Sequence, residues 1–139
     1  MRATITVSGV QGVAGIDEDT IELVTDGIYT RTEQGFEIYY LETELTGLAG
    51  TQTRVEVNPD EVTVERKGIL NARMVFKPGE KSSFLYDTQF GSATLELETK
   101  KINAALDDFG GELCIDYVVN MEHTVSSKNK LKITVKGLR

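Results

Sequence analysis

The chain has 139 residues, 40% of them hydrophobic, which is enough for one ordinary domain with its own core, and we treat residues 1–139 as a single domain. Its formal net charge of −7 argues against nucleic acid or an anionic membrane surface as a partner. No apolar run approaches the ~18–20 residues that cross a bilayer, and the start of the chain alternates instead of forming a signal peptide. We therefore expect a cytoplasmic protein without a membrane segment.

The composition also limits the chemistry. Cys114 and His123 are the single cysteine and the single histidine, so neither an intrachain disulfide nor a structural zinc site can form. Cys114 alternates with Leu113 and Ile115 and should face away from them, which disfavours a Cys–His nucleophile pair. We expect no cofactor, no metal ion and no enzymatic activity.

Hydrophobic and polar residues alternate along most of the chain, as in half-buried β-strands. In chain order the aligned positions are Ala3, Ile5 and Val7; Ile21 and Leu23; Phe36, Ile38 and Tyr40; Thr53, Val55 and Val57; Val62 and Val64; Leu70, Ala72, Met74 and Phe76; Phe84 and Tyr86; Ala93, Leu95 and Leu97; Leu113, Ile115, Tyr117, Val119 and Met121; Leu131, Ile133 and Val135.

Short turn sequences separate these strands. They are Asp26-Gly27, Asn58-Pro59-Asp60, Lys67-Gly68, Lys77-Pro78-Gly79, Phe90-Gly91 and Gly110-Gly111. Connections this short join antiparallel neighbours, because a parallel crossover needs a dozen or more residues. The pattern predicts an all-β fold, a closed antiparallel up-and-down barrel of about eight to ten strands, with a β-sandwich as the alternative.

Two segments depart from simple alternation. The glycines at 9, 12 and 15, followed by three acidic residues, predict that the first strand ends near Gly9 and a loop follows to residue 19. Further on, the apolar phase changes from odd positions at Leu97 to even positions at Ile102. A bulge near Lys100-Lys101 explains the change, and a short helix over about 100–108 is the alternative.

Arg66 is the most informative residue of the sequence, because it shares the phase of Val62 and Val64 and should point into the barrel. A buried guanidinium needs a partner, and Glu42 and Glu44 continue the inward phase of the third strand. Two interpretations stay open: a structural ion pair that plugs the barrel, and an anchor for an anionic small ligand.

Several hydroxyl groups share this inward phase: Tyr40, Tyr86, Thr88, Thr99 and Tyr117. They can line a pocket that orients a ligand, or they can satisfy one another within an ordinary core. Together with Arg66, Glu42 and Glu44 they form the candidate ligand-binding set of the barrel interior.

The last strand carries lysines at even positions, opposite its apolar face: Lys128, Lys130, Lys132 and Lys136. Solubility and protection of a strand edge explain such a stripe. No aromatic residues are interleaved to stack on bases, so nucleic acid is disfavoured as a partner. A protein partner or a second copy of the chain is compatible with the stripe.

Several short motifs resemble the YwiB-like family of bacterial domains of unknown function. They are Val64-Glu65-Arg66-Lys67-Gly68, Met74-Val75-Phe76-Lys77-Pro78-Gly79, Tyr86-Asp87-Thr88-Gln89-Phe90-Gly91, Thr99, Gly111-Glu112-Leu113 and Ile115-Asp116-Tyr117. The resemblance runs from about Thr4 to Val135; the family pattern has a proline where this chain has Gln89. It implies a calycin-like β-barrel, similar to lipocalins, in the bacterial cytoplasm, and it implies no established reaction.

The sequence thus leaves two functional hypotheses. The first is a barrel that binds a small ligand near Arg66, since a small barrel can enclose one ligand. The second is a solid barrel whose exterior meets a protein partner or forms a homodimer.

Overall fold

The computed structural model describes residues 1–13, 19–42, 49–120 and 126–137. Within these residues the regular structure is ten β-strands: β1 (Arg2–Val13), β2 (Asp19–Arg31), β3 (Phe36–Leu41), β4 (Gln52–Val57), β5 (Val62–Lys67), β6 (Leu70–Phe76), β7 (Lys81–Thr88), β8 (Gly91–Asp107), β9 (Gly110–Asn120) and β10 (Ser127–Gly137). Among the same residues, no helix is long and apolar enough to cross a membrane.

Each strand pairs antiparallel with the next one in the chain, and β10 returns to pair with β1. The sheet is therefore closed, and the predicted up-and-down barrel is confirmed. Seven of the nine connections have two to five residues, and a turn that short returns the chain beside the strand it has just left; the connections from β3 to β4 and from β9 to β10 are longer.

Alternate residues of each strand face the inside of the barrel and form the core. Ile5, Ile38, Leu97, Leu113 and Ile133 are fully buried, and they come from five different strands. Each such side chain contributes roughly 1.5–3 kcal/mol by leaving water, so the alternation read from the sequence is also the main source of stability.

The Asp26-Gly27 pair is not a turn, contrary to the sequence prediction. β2 runs through it without interruption, and Gly27 pairs with Tyr40 of β3. A methyl group on Gly27 would lie 2.8 Å from Ile5 Cγ1 and would clash with the backbone oxygen of Tyr39. The glycine is needed there because two neighbouring strands pack too closely for a side chain, not because the chain reverses.

The predicted end of β1 near Gly9 is also wrong. The strand continues to Val13 because it is paired on both sides, to β2 and to β10; Gly9, for example, pairs with Ile21 and with Leu131. Backbone pairing on two edges outweighs the weak strand preference of glycine. Residues 14–18 of the predicted loop lie outside the described residues.

The predicted bulge in β8 is confirmed, and the alternative helix is not formed. Thr99 pairs with Tyr117 of β9, whereas Lys101 pairs with Asp116, so Lys100 is the extra residue. Leu97 and Thr99 are buried before the bulge, and Ile102 packs against the core after it. The bulge accommodates Lys100, so that both apolar sets lie on the inner face of one long strand.

The pairing of β6 with β7 is the shortest around the barrel among the described strands. Cα partners occur only at Leu70 with Thr88 and at Asn71 with Asp87. Farther along, the Ser82 hydroxyl donates a hydrogen bond of 3.3 Å to the carbonyl oxygen of Val75. A side chain thus replaces part of the missing backbone ladder.

Candidate functional site

Arg66 lies in a row of inward-facing residues that crosses five neighbouring strands. The strand register places Gly27, Tyr40, Thr53, Arg66 and Ala72 side by side, from β2 to β6. The two ends of this row have small or no side chains, whereas its middle is polar. We call the end of the barrel where β3 and β5 finish the Arg66 end.

The neighbouring row toward the same end adds a buried carboxylate. Glu42 follows β3, and its backbone N–H donates to the carbonyl oxygen of Thr51 at 2.8 Å, so the ladder between the third and fourth strands continues by one step. Alternation then directs the Glu42 side chain inward, like that of Tyr40, and only 3% of it is exposed.

Glu42 contacts both a hydroxyl donor and a positive charge. The Thr53 hydroxyl donates to Glu42 Oε1 at 2.7 Å, and Arg66 Nε lies 3.8 Å from the same oxygen. The second distance exceeds that of an N–H···O hydrogen bond, so Arg66 and Glu42 attract each other by charge without a direct bond through Nε. The Arg66 side chain is 23% exposed, so part of it reaches solvent, whereas its Nε atom is buried.

In the described part of the chain, two buried side-chain atoms have no hydrogen-bond partner: Thr51 Oγ1 and Arg66 Nε. Thr51 is fully buried, and both atoms belong to the Arg66 end. Unpaired buried polar atoms are rare and costly, so each needs a physical explanation. Thr51 was not singled out in the sequence, although it continues the inward phase of Thr53, Val55 and Val57.

Two tyrosines lie near the same charges. Burial raises the pKa of Tyr40 above its ordinary value of 10; the Glu42 carboxylate adds to that increase, and Arg66 opposes it. Burial also raises the pKa of Tyr117, and Arg66 again acts in the opposite direction. Tyr117 packs edge-to-face on Phe76, with ring centroids 5.0 Å apart. Both phenols keep their protons at neutral pH and add no charge to the site.

The structure separates the remaining predicted residues from this cluster. Thr99 is buried, and its backbone bonds to Gly79 and Glu80 of the turn between β6 and β7. Tyr86 shares the face of Phe84 but is 40% exposed, so its predicted place in the barrel interior is wrong. The Thr88 hydroxyl donates to the Gly91 carbonyl within its own hairpin turn. Glu44 lies outside the described residues.

The other sequence candidates do not form a second site. Cys114 is a half-buried free thiol, and His123 lies outside the described residues. No group of three or more His, Cys, Asp or Glu side chains that could hold a metal ion occurs in residues 1–13, 19–42, 49–120 and 126–137. The four lysines of β10 are exposed, and Lys132 lies 3.5 Å from Glu112 of β9.

Known proteins resemble this chain over nearly its whole length. The "Uncharacterized beta-barrel protein YwiB" of Bacillus subtilis is 28% identical over 122 residues, which cover 87% of this chain and 84% of that protein. The crystal structure of the B. subtilis ywiB protein superposes with a TM-score of 0.88 and 27% identity, covering 99% of this chain and 92% of the other. A family described as a domain of unknown function, DUF1934, matches residues 5–133. The chain therefore belongs to the DUF1934 family of β-barrel proteins.

Proposed function

We propose that this protein is a non-enzymatic binding protein of the cytoplasm, which holds a small molecule at the Arg66 end of its barrel. The proposal rests on one combined observation. Both buried atoms without a hydrogen-bond partner in the described residues, Thr51 Oγ1 and Arg66 Nε, lie in this one cluster. The arginine that holds one of them is also accessible to solvent.

A guest explains these features better than a purely structural ion pair. A structural pair is expected to use the guanidinium fork for direct bonds to the carboxylate, whereas Arg66 Nε stays 3.8 Å from Glu42. A polar group bound beside Arg66 would satisfy Nε and remove the cost of an unpaired donor. Binding inside one end of a closed barrel is also the mode that a calycin-like fold suggests.

The experiment is native mass spectrometry of the protein purified without denaturation from the organism that encodes it. We expect a small-molecule adduct on the wild type that disappears on unfolding and is absent from Arg66→Met. Arg54→Met is the matched control, because Arg54 lies on the neighbouring strand β4, faces outward and pairs with Glu37 at 3.2 Å. The proposal fails if the wild type carries no adduct, or if both variants lose it equally.

A second candidate function rests on the outer surface. Val24, Ile28 and Leu41 of β2 and β3 are each about half exposed, and Ile28 pairs with the half-buried Tyr39. Exposed apolar side chains on adjacent strands are typical of contact surfaces. The occupant we favour is a second copy of the chain. Sedimentation equilibrium of the wild type and of Val24→Lys tests this, and a wild type that stays monomeric at high concentration excludes it.

A further inference from the structure

Two opposite charges face each other in the barrel interior at the Arg66 end, within the described residues. Arg66 contributes the positive charge and Glu42 the negative one, at 3.8 Å from each other. The Glu42 carboxylate is almost entirely buried and is fixed by Thr53. The other polar groups described in this cluster are the hydroxyls of Thr51, Thr53, Tyr40 and Tyr117, which are neutral.

The opposite charges of Arg66 and Glu42 determine which charge of a guest is favoured. An anion bound at Arg66 would bring a second negative charge next to a carboxylate that cannot move into water. The attraction to Arg66 is already used by Glu42, so the desolvation of the anion would not be compensated. A neutral guest avoids this cost.

The hydrogen-bonding groups point to the same class. Arg66 Nε–H is a donor and requires an acceptor, whereas the Thr51 hydroxyl can donate or accept. A carbonyl or hydroxyl oxygen satisfies Nε, and the N–H of a carboxamide or the O–H of an alcohol can then bond to Thr51.

Resting on the binding function proposed above, we infer that the guest is an uncharged molecule with a carboxamide or hydroxyl head group, rather than an anion. The sequence left open both a structural ion pair and an anchor for an anionic ligand; the position of Glu42 beside Arg66 disfavours the anion.

The test compares amides and carboxylates of identical chain length, from butanamide and butanoate to decanamide and decanoate, on the ¹⁵N-labelled full chain at pH 7. The readout is the Arg66 Nε–H cross-peak, which reports on the proposed contact itself. We expect the best amide to bind at least tenfold tighter than its matched carboxylate. Thr51→Val should weaken the amide by about two- to tenfold, the value of one neutral hydrogen bond.

The outcomes separate the two proposals. A carboxylate that binds as tightly as its amide, or tighter, overturns the uncharged class and leaves the binding function in place. If no probe moves the Arg66 Nε–H signal at millimolar concentration, and the purified protein carries no adduct, water alone serves the two atoms and both proposals fall. Arg54→Met, which alters an outward arginine, should leave every affinity unchanged.

Discussion

Thr51 and Thr53 are two buried threonines that differ in a single respect. Both are fully buried, and they lie two residues apart on the inner face at β4. The Thr53 hydroxyl donates to Glu42 at 2.7 Å, whereas the Thr51 hydroxyl has no partner among the residues that the structure describes. Replacing each by valine removes the hydroxyl, keeps the β-branched shape and suits a strand, so the pair isolates the hydrogen bond.

The expected changes have opposite signs. Thr53→Val deletes a hydrogen bond to a charged group and should lower the free energy of unfolding by about 1.5–3 kcal/mol. Thr51→Val removes a hydroxyl that is buried without compensation, so the free energy of unfolding should stay unchanged or rise by about 1 kcal/mol. The two variants should therefore differ by about 1.5–4 kcal/mol.

Urea unfolding followed by circular dichroism measures this difference, provided that both variants keep the m-value of the wild type. Equal losses of stability at the two positions would refute the reasoning, because they would mean that the Thr51 hydroxyl is bonded as firmly as that of Thr53. The same variants connect stability with binding: Thr51→Val should fold well and yet hold the proposed guest more weakly.

Three further predictions test the fold. Gly27→Ala should destabilise the protein by several kcal/mol, because a methyl group has no room there. Gly9→Ala should change the free energy of unfolding by less than about 1 kcal/mol, because nothing lies within 4 Å of the added carbon. Urea unfolding of the two variants tests the difference. Burial, with added effects of nearby acidic side chains, raises the pKa of Tyr29 to about 12, so the folded state keeps a proton that the unfolded state loses above pH 10. The free energy of unfolding should therefore fall as the pH rises from 10 to 12. Unfolding curves measured across this range should show a smaller fall for Tyr29→Phe. Deletion of Lys100 removes the extra residue, so Thr99 and Lys101 become neighbours in a regular strand and Ile102 still faces inward. The melting temperature should therefore fall by less than about 10 °C, as it should for Lys100→Ala; a much larger loss on deletion alone would show that the bulge itself is needed to shape the barrel.

The period-2 pattern was sufficient to predict the architecture, because each face of a strand in a small barrel is either core or solvent. The bulge at Lys100 could be predicted for the same reason, since Leu97 and Ile102 cannot both face inward on a regular strand. The direction of the Arg66 side chain followed from Val62 and Val64.

The pattern failed where position along the barrel mattered. Tyr86 has the right phase but is 40% exposed, and the pairing of β7 with β6 stops one position before it, at Asp87 with Asn71; phase carries no information about where strand pairing stops. Gly27 was mistaken for a turn, because a glycine required by close strand packing and a glycine required by a reversal look alike in sequence.

The site depended on contacts that no single strand contains. Arg66, Glu42 and Thr53 come from three segments, and whether Arg66 bonds to Glu42 or stays 3.8 Å away is decided by the register between them. Thr51 could have been found by extending the phase of β4 backward by one step, but its lack of a partner is visible only in three dimensions.

The pairing of β1 with β10 has a consequence for biosynthesis. The closest partners along the chain, Val13 and Ser127, are 114 positions apart (127 − 13). A ribosome that adds ~5–20 residues per second needs roughly 6–23 s to make that stretch. During this time β1 can pair with β2 but has an open edge on its other side, and open strand edges invite pairing with other chains. The nascent chain therefore keeps an open, pairing-competent edge on β1 until its last strand emerges.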